Sequence, residues 1–227
     1  MNFNIVTVVS EYMKKILFIL IILCTTSICN AQTTDTLLKE AATMIEQEKW
    51  HSALDAYTKI LKKEPKNPAA LFYRAYVHEQ LGKYNLSRKD YEQFLKIAPF
   101  NYEGLLGLVV LNQKDKNYTD AYDQINNLIE MYPDSVSAYM VRANIEKERK
   151  MYYPCIYDLG EVIRLSPNNP EAYITRAEMF IEIERYAEAE QDLDNAVRLG
   201  IPYNSLNYLN DKIKKQRKKQ RKKQNKL

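Results

Sequence analysis

The side chains that could do chemistry are few and scattered. His51 and His78 are the only histidines in 227 residues. Neither has a cysteine, a histidine or a carboxylate at metal-ligand spacing, so packing or surface roles are expected for both. Cys24 and Cys29 lie in an apolar N-terminal stretch, and Cys155 stands alone with no neighbouring histidine to activate it. With five glycines in the whole chain there is no phosphate-cradling loop, and no G-x-S-x-G occurs. No catalytic residue, cofactor or metal is therefore expected. One polar pattern does recur: Arg74 with Asp90, Arg142 with Asp158 and Arg176 with Asp192 share a 16-residue offset. Inside a helical hairpin that offset suits a structural ion pair between the two helices, given the fork of the guanidinium. A ligand-binding arginine stripe is the alternative.

Those pairs sit inside a longer regularity. Pro65, Pro99, Pro133 and Pro167 are 34 residues apart, as are Trp50, Tyr84, Tyr118, Tyr152 and Tyr186. Two ladders of mostly small residues keep the same register: Ala41, Ala75, Val109, Ala143, Ala177, and Ala53, Ser87, Ala121, Cys155, Ala189. Four ladders in one register mark a repeat protein. Within each copy, sets such as Leu71/Ala75/His78 and Tyr173/Ala177/Phe180 are spaced i, i+4, i+7, one face of a helix. A second set, such as Ala53/Tyr57/Ile60/Leu61, predicts a second helix in each copy.

The period, the small residues where helices would cross and the closing proline resemble the tetratricopeptide repeat family. The resemblance runs from residue 34 to about 202 and is strongest at 68–99 and 170–201. The copy at 102–133 is the loosest, with Val109 at a small-residue position and Ile125 in place of the aromatic seen at Tyr57 and Tyr91. The resemblance implies an all-α, helix-turn-helix solenoid of five 34-residue repeats (34–67, 68–101, 102–135, 136–169, 170–202), followed by a capping helix at 203–213. The family's turn glycine survives only as Gly82. Glu48, Lys116, Lys150 and Glu184 replace it, so those turns are expected to close without a residue suited to positive φ.

The termini differ from the repeats. Residues 13–31 carry Lys14-Lys15, an apolar run from Ile16 to Leu23 and a small-residue end at Cys29-Asn30-Ala31. That is the layout of a secretory signal peptide cleaved after Ala31, with residues 1–12 an upstream extension. The apolar run is too short to span a bilayer. Leu23 and Ile28, which precede the two cysteines, fit lipoprotein processing poorly. Cleavage would leave Cys155 as the sole cysteine, hence no internal disulfide. At the other end, residues 212–226 hold ten lysines and arginines and no acid, whereas residues 32–211 hold 21 basic against 28 acidic residues, a net of about −7. Residues 214–227 are expected to be a frayed, self-repelling tail.

The resemblance places a binding groove on the first helices of the repeats. Carried over copy by copy, the groove positions are Leu38, Phe72 and Tyr76, Leu106 and Val110, Met140 and Asn144, and Ile174 and Glu178. They are chiefly apolar, so a clamp for a terminal carboxylate is not expected. An amphipathic helix or an extended protein segment bearing Lys or Arg fits better. Packing between successive copies is the competing role for the same residues. The function expected is an exported scaffold in a bacterial periplasm or cell envelope, binding a segment of a protein partner. The second reading gives the work to Lys214, Lys215, Arg217, Lys218, Lys219, Arg221, Lys222 and Lys223, binding anionic lipid or an envelope polymer. The tail has no aromatic residue for base stacking, which argues against nucleic acid.

Overall fold

A computed structural model describes residues 34–224. The signal-peptide reading and its cleavage after Ala31 lie outside those residues. The described chain is all-helical and divides into two compact units, 1–100 and 101–227. In the first unit, α1 (residues 34–46), α2 (Trp50–Lys63), α3 (Pro68–Gln80) and α4 (Tyr84–Ile97) form two helix-turn-helix hairpins. The second unit holds α5 (Tyr102–Lys114), α6 (Tyr118–Met131), α7 (Val136–Glu148), α8 (Tyr152–Leu165), α9 (Pro170–Glu182) and α10 (Tyr186–Arg198). A short 3-10 helix (Tyr203–Leu206) and α11 (Asn207–Gln224) complete it. The all-α helix-turn-helix repeat expected from the ladders is the fold observed.

Each first helix from α3 onward starts the same way. The side chains of Asn67, Asn101, Ser135 and Asn169, themselves 34 apart, accept from the backbone N–H three residues on, at 3.0, 2.9, 3.2 and 3.3 Å. These are N-caps satisfying donors that a helix end leaves open. The two small-residue ladders meet where the helices of a hairpin cross. Ala41, Ala53, Ala75, Ala143, Ala177 and Ala189 are fully buried, and so are Ser87 and Cys155. The close approach lets Ser87 Oγ donate to the Ala75 carbonyl (2.7 Å) and Cys155 Sγ donate to the Ala143 carbonyl (3.2 Å), one equivalent bond in two copies. Burial pushes the Cys155 thiol up to about 12, which makes it an inert packing group.

Four of the five turns between paired helices close, as expected, on a residue not suited to positive φ. Glu48, Lys116, Lys150 and Glu184 adopt φ of 55°, 58°, 59° and 62°, close to the 69° of Gly82. In all five turns the N–H of the following residue reaches back to the carbonyl five residues earlier, as in Lys83 to His78 at 2.8 Å and Met151 to Glu146 at 2.8 Å. This Schellman geometry demands a left-handed residue, whichever side chain is present. Holding a non-glycine residue there costs about 1–2 kcal/mol, partly offset by the entropy glycine would add to the unfolded chain. We therefore expect Lys116→Gly and Lys150→Gly each to raise stability by about 0.5–1 kcal/mol, read as an upward shift in the thermal midpoint. Loss of stability in both variants would contradict this account of the turns.

The next step of the ladder falls in α11. Continuing the first-helix positions by 34 places Asn207, Asn210, Asp211 and Lys214 where the fifth copy has the half-buried Tyr173 and Arg176 and the buried Ala177 and Phe180. That face of α11 is polar. Its other face buries Leu206, Leu209 and Ile213 against α9 and α10. A frayed tail from residue 214 was expected, and the helix instead runs to Gln224. Lysine, arginine and glutamine are good helix formers, and acidic side chains of α9 and α10 neutralise part of the charge. Arg217 makes a two-pronged pair with Glu190 (2.8 and 2.9 Å), Lys212 pairs with Glu182 (2.6 Å), and Gln220 donates to Glu184 (3.3 Å).

Candidate interaction surface

The recurrent arginines and aspartates are joined within their hairpins. Arg74 meets Asp90 through two bonds of 2.7 Å, Arg142 meets Asp158 at 2.6 and 2.7 Å, and Arg176 meets Asp192 at 2.8 and 2.8 Å. The aspartates are 1–4% exposed, so these pairs are buried and structural, not a stripe open to ligand. In the third copy Leu108 and Gln124 occupy the corresponding places, and Gln124 instead accepts from Asn112 Nδ2 (2.9 Å). Both members of the ion pair are replaced together, which leaves no buried charge alone.

Beside the pairs runs a ladder of buried polar residues. His78, Asn112 and Glu146 are equivalent positions in the three inner copies, flanked by Met44 and Phe180 in the outer ones. Burial lowers the His78 pKa, with Arg74 and Lys83 acting in the same direction and Asp90 against them. The Glu146 pKa moves the opposite way, although burial favours the neutral form of both groups. Burial first, then the negative charge of Asp158, pushes its carboxyl up to about 7, against the Tyr122 hydroxyl bond and the Arg142 charge. Tyr122 donates to Glu146 Oε1 at 3.0 Å, and Oε2 meets no donor. The i, i+4, i+7 register of the sequence puts Glu146 on the packed face with Tyr139 and Ala143, but gives no sign of its raised carboxyl.

The nine groove positions all lie on first helices and are half-buried, but they divide by what they touch. Leu38 and Phe72 pack on the core of the first unit, where Phe72 meets Tyr91 and Phe94 with ring centroids 5.7 and 5.4 Å apart. Leu106 and Met140 pack on one core cluster of the second unit and Ile174 on another. Glu178 is engaged by Lys147 Nζ (2.5 Å) and by the Tyr208 hydroxyl (2.8 Å). Tyr76 lies edge-on to Trp50 at 6.2 Å. Among the described residues Val110 and Asn144 make no such contact, and they are the positions best placed to meet a partner in the second unit.

That face does not end at the fifth copy. Tyr208 and Lys212 of α11 continue the ladders of Ile174 and Glu178 by one further step of 34. The bonds Lys147–Glu178–Tyr208 and Glu182–Lys212 tie α7, α9 and α11 side by side. Of the eight basic candidates, Arg217 is turned inward onto Glu190, and Lys214, Lys215, Lys218, Lys219 and Lys222 are exposed. Arg221 and Lys223 continue the helix backbone.

Comparisons with known proteins agree with this architecture. Residues 38–102 match the family described as tetratricopeptide repeat. No curated protein gives a significant match. Among solved structures, a tetratricopeptide repeat protein from Parabacteroides merdae is 26% identical with a TM-score of 0.67, over 81% of this chain and 72% of that one. PilF of Pseudomonas aeruginosa is 17% identical with a TM-score of 0.67, over 82% and 89%. YrrB, described as a tetratricopeptide repeat protein with an unusual peptide-binding site, is 16% identical with a TM-score of 0.56, over 72% and 84%. The fold is therefore that of tetratricopeptide repeat proteins, and residues 38–102 carry the family's sequence pattern.

Proposed function

We propose that this chain is a scaffold that binds a segment of a protein partner on its first-helix face, working in a bacterial envelope after export. The observation that carries the reading is the row Leu106/Val110, Met140/Asn144, Ile174/Glu178, continued by Tyr208 and Lys212. It is a pre-built, half-buried surface of apolar centre and few polar groups, held by bonds between neighbouring first helices. A surface already ordered costs a partner little to engage. The net charge of about −7 over residues 32–211 suits a segment whose apolar residues alternate with lysine or arginine. Similarity to a protein with a peptide-binding site supports the same direction. The export signal read at residues 13–31 supplies the location.

Peptides selected from a random display library on the full chain provide the test. Val110→Asp and Asn144→Arg should each weaken a selected peptide by about tenfold or more, with thermal unfolding unchanged. Such a loss corresponds to at least about 1.4 kcal/mol. Selected peptides that bind both variants like the wild type would place the interaction elsewhere.

A further inference from the structure

The outer face of α11 takes no part in the proposed groove. At about 100° per residue, Lys214, Lys215, Lys218, Lys219 and Lys222 fall within an arc of about 140°. That arc lies opposite the docked residues Leu206, Leu209, Ile213 and Arg217. All five lysines are exposed, and they span about 12 Å of helix axis. The only acid on this arc is Asp211, at its N-terminal edge, whose carboxylate is 3.9 Å from Lys214 Nζ. Among the described residues no apolar side chain lies between these lysines; Tyr208, 59% exposed, lies on the same side of the helix about one and a half turns before Lys214, with its hydroxyl held by Glu178. Around the rest of the helix the charge has the opposite sign, with Glu184 and Glu190 meeting its inner face through Gln220 and Arg217, and Glu178 and Glu182 meeting its flank through Tyr208 and Lys212.

We propose that this stripe docks the protein on an anionic lipid bilayer. The lysines face one way, as contact with a flat surface requires, and the absence of an apolar residue among them means adsorption at the headgroups without insertion. A duplex nucleic acid would have to bring phosphates to both flanks of the helix. The glutamates of α9 and α10 would repel the inner strand, and no aromatic side chain lies among the five lysines to stack on a base. Lysine ammonium groups act as point charges toward lipid phosphate, so adsorption is non-specific in headgroup and sensitive to salt. Bilayer docking leaves the first-helix row of the repeats available to a protein partner.

The test is co-sedimentation of the full chain with phosphatidylcholine vesicles, with and without about a third of the lipid as phosphatidylglycerol. Binding is expected only to the anionic vesicles and should fall steeply with added salt. The variant Lys215→Gln/Lys218→Gln/Lys222→Gln should bind about 100-fold more weakly, at a factor of about five per lysine. A control, Lys59→Gln/Lys62→Gln/Lys96→Gln, removes the same charge from exposed positions of the first unit and should bind like the wild type. The apolar run at 16–23 is common to every variant, so differences among them report on α11. Equal loss in both variants, no loss in the first, or binding of duplex DNA but not of vesicles would each overturn the proposal.

Discussion

Glu146→Gln should stabilise the second unit at pH 8 by about 2–3 kcal/mol and leave its stability at pH 4.5 almost unchanged. The sign follows from the carboxyl's two environments. In the unfolded chain it titrates near 4.5, and in the fold burial and Asp158 raise it to about 7. Between those values the folded state holds a proton that the unfolded state has lost. The stabilisation is thus fully present below pH 4.5 and declines as pH rises to about 7. A neutral amide removes the decline. Amide hydrogen exchange in α7 and α8, followed in wild type and variant at pH 5 and pH 8, reads this directly. A variant no more protected than wild type at pH 8 would show that Glu146 is held comfortably as a carboxylate. His78, the equivalent residue two copies earlier, has the opposite slope. Its lowered pKa favours the neutral ring in the fold, so stability is present above about pH 6.5 and is lost as pH falls below it. Trp50, the sole tryptophan, lies in that first unit and reports on it separately.

Arg142→Leu should be the most damaging single substitution in the second unit, at about 3–5 kcal/mol. Its guanidinium makes two bonds to Asp158 and donates to Asn126 at 2.9 Å, while lying 5.6 Å from the Tyr139 ring centroid. Removing it strands Asp158, which is 1% exposed, beside the Glu146 carboxyl. The third copy shows how the loss is tolerated, because Leu108 there accompanies Gln124 and Asn112. The triple variant Arg142→Leu/Glu146→Asn/Asp158→Gln copies that arrangement and should recover more than half of the single variant's loss. Urea unfolding of the three proteins, followed by far-ultraviolet circular dichroism, makes the comparison. A triple variant as unstable as the single one would mean that the cost lies in lost packing of the arginine stem and not in the orphaned charge.

Much of this was legible in the sequence because a repeat states each rule several times. Five copies of the Ala75 and Ala53 positions announced where helices cross, and three copies of a 16-residue offset announced the Arg–Asp bonds. What escaped was whatever a single copy states once. Glu146 is one carboxyl in a ladder of mixed types, and its environment depends on Tyr122 and Asp158 from two other helices. The order of α11 depends on Glu182, Glu184 and Glu190, which are distant in sequence and look like ordinary surface acids. That four turns would close without glycine was legible from Glu48, Lys116, Lys150 and Glu184; that the Schellman bonds still impose a left-handed conformation on them, at a modest cost, was visible only in the structure. The groove positions were located by register, but register alone does not separate Val110 and Asn144 from Phe72, whose ring is committed to the core.

The central claim is that a partner segment lies on the first-helix face, and a site-specific photo-crosslink tests it most directly. A photoreactive phenylalanine analogue would replace Asn144 on α7 in one protein and Tyr157, which is 66% exposed on α8, in another. Each full-length protein would be irradiated with a peptide selected on the wild type. Crosslinking from position 144 and none from position 157 is the result this account predicts. Crosslinking from position 157 alone would put the partner on the second-helix face and contradict it.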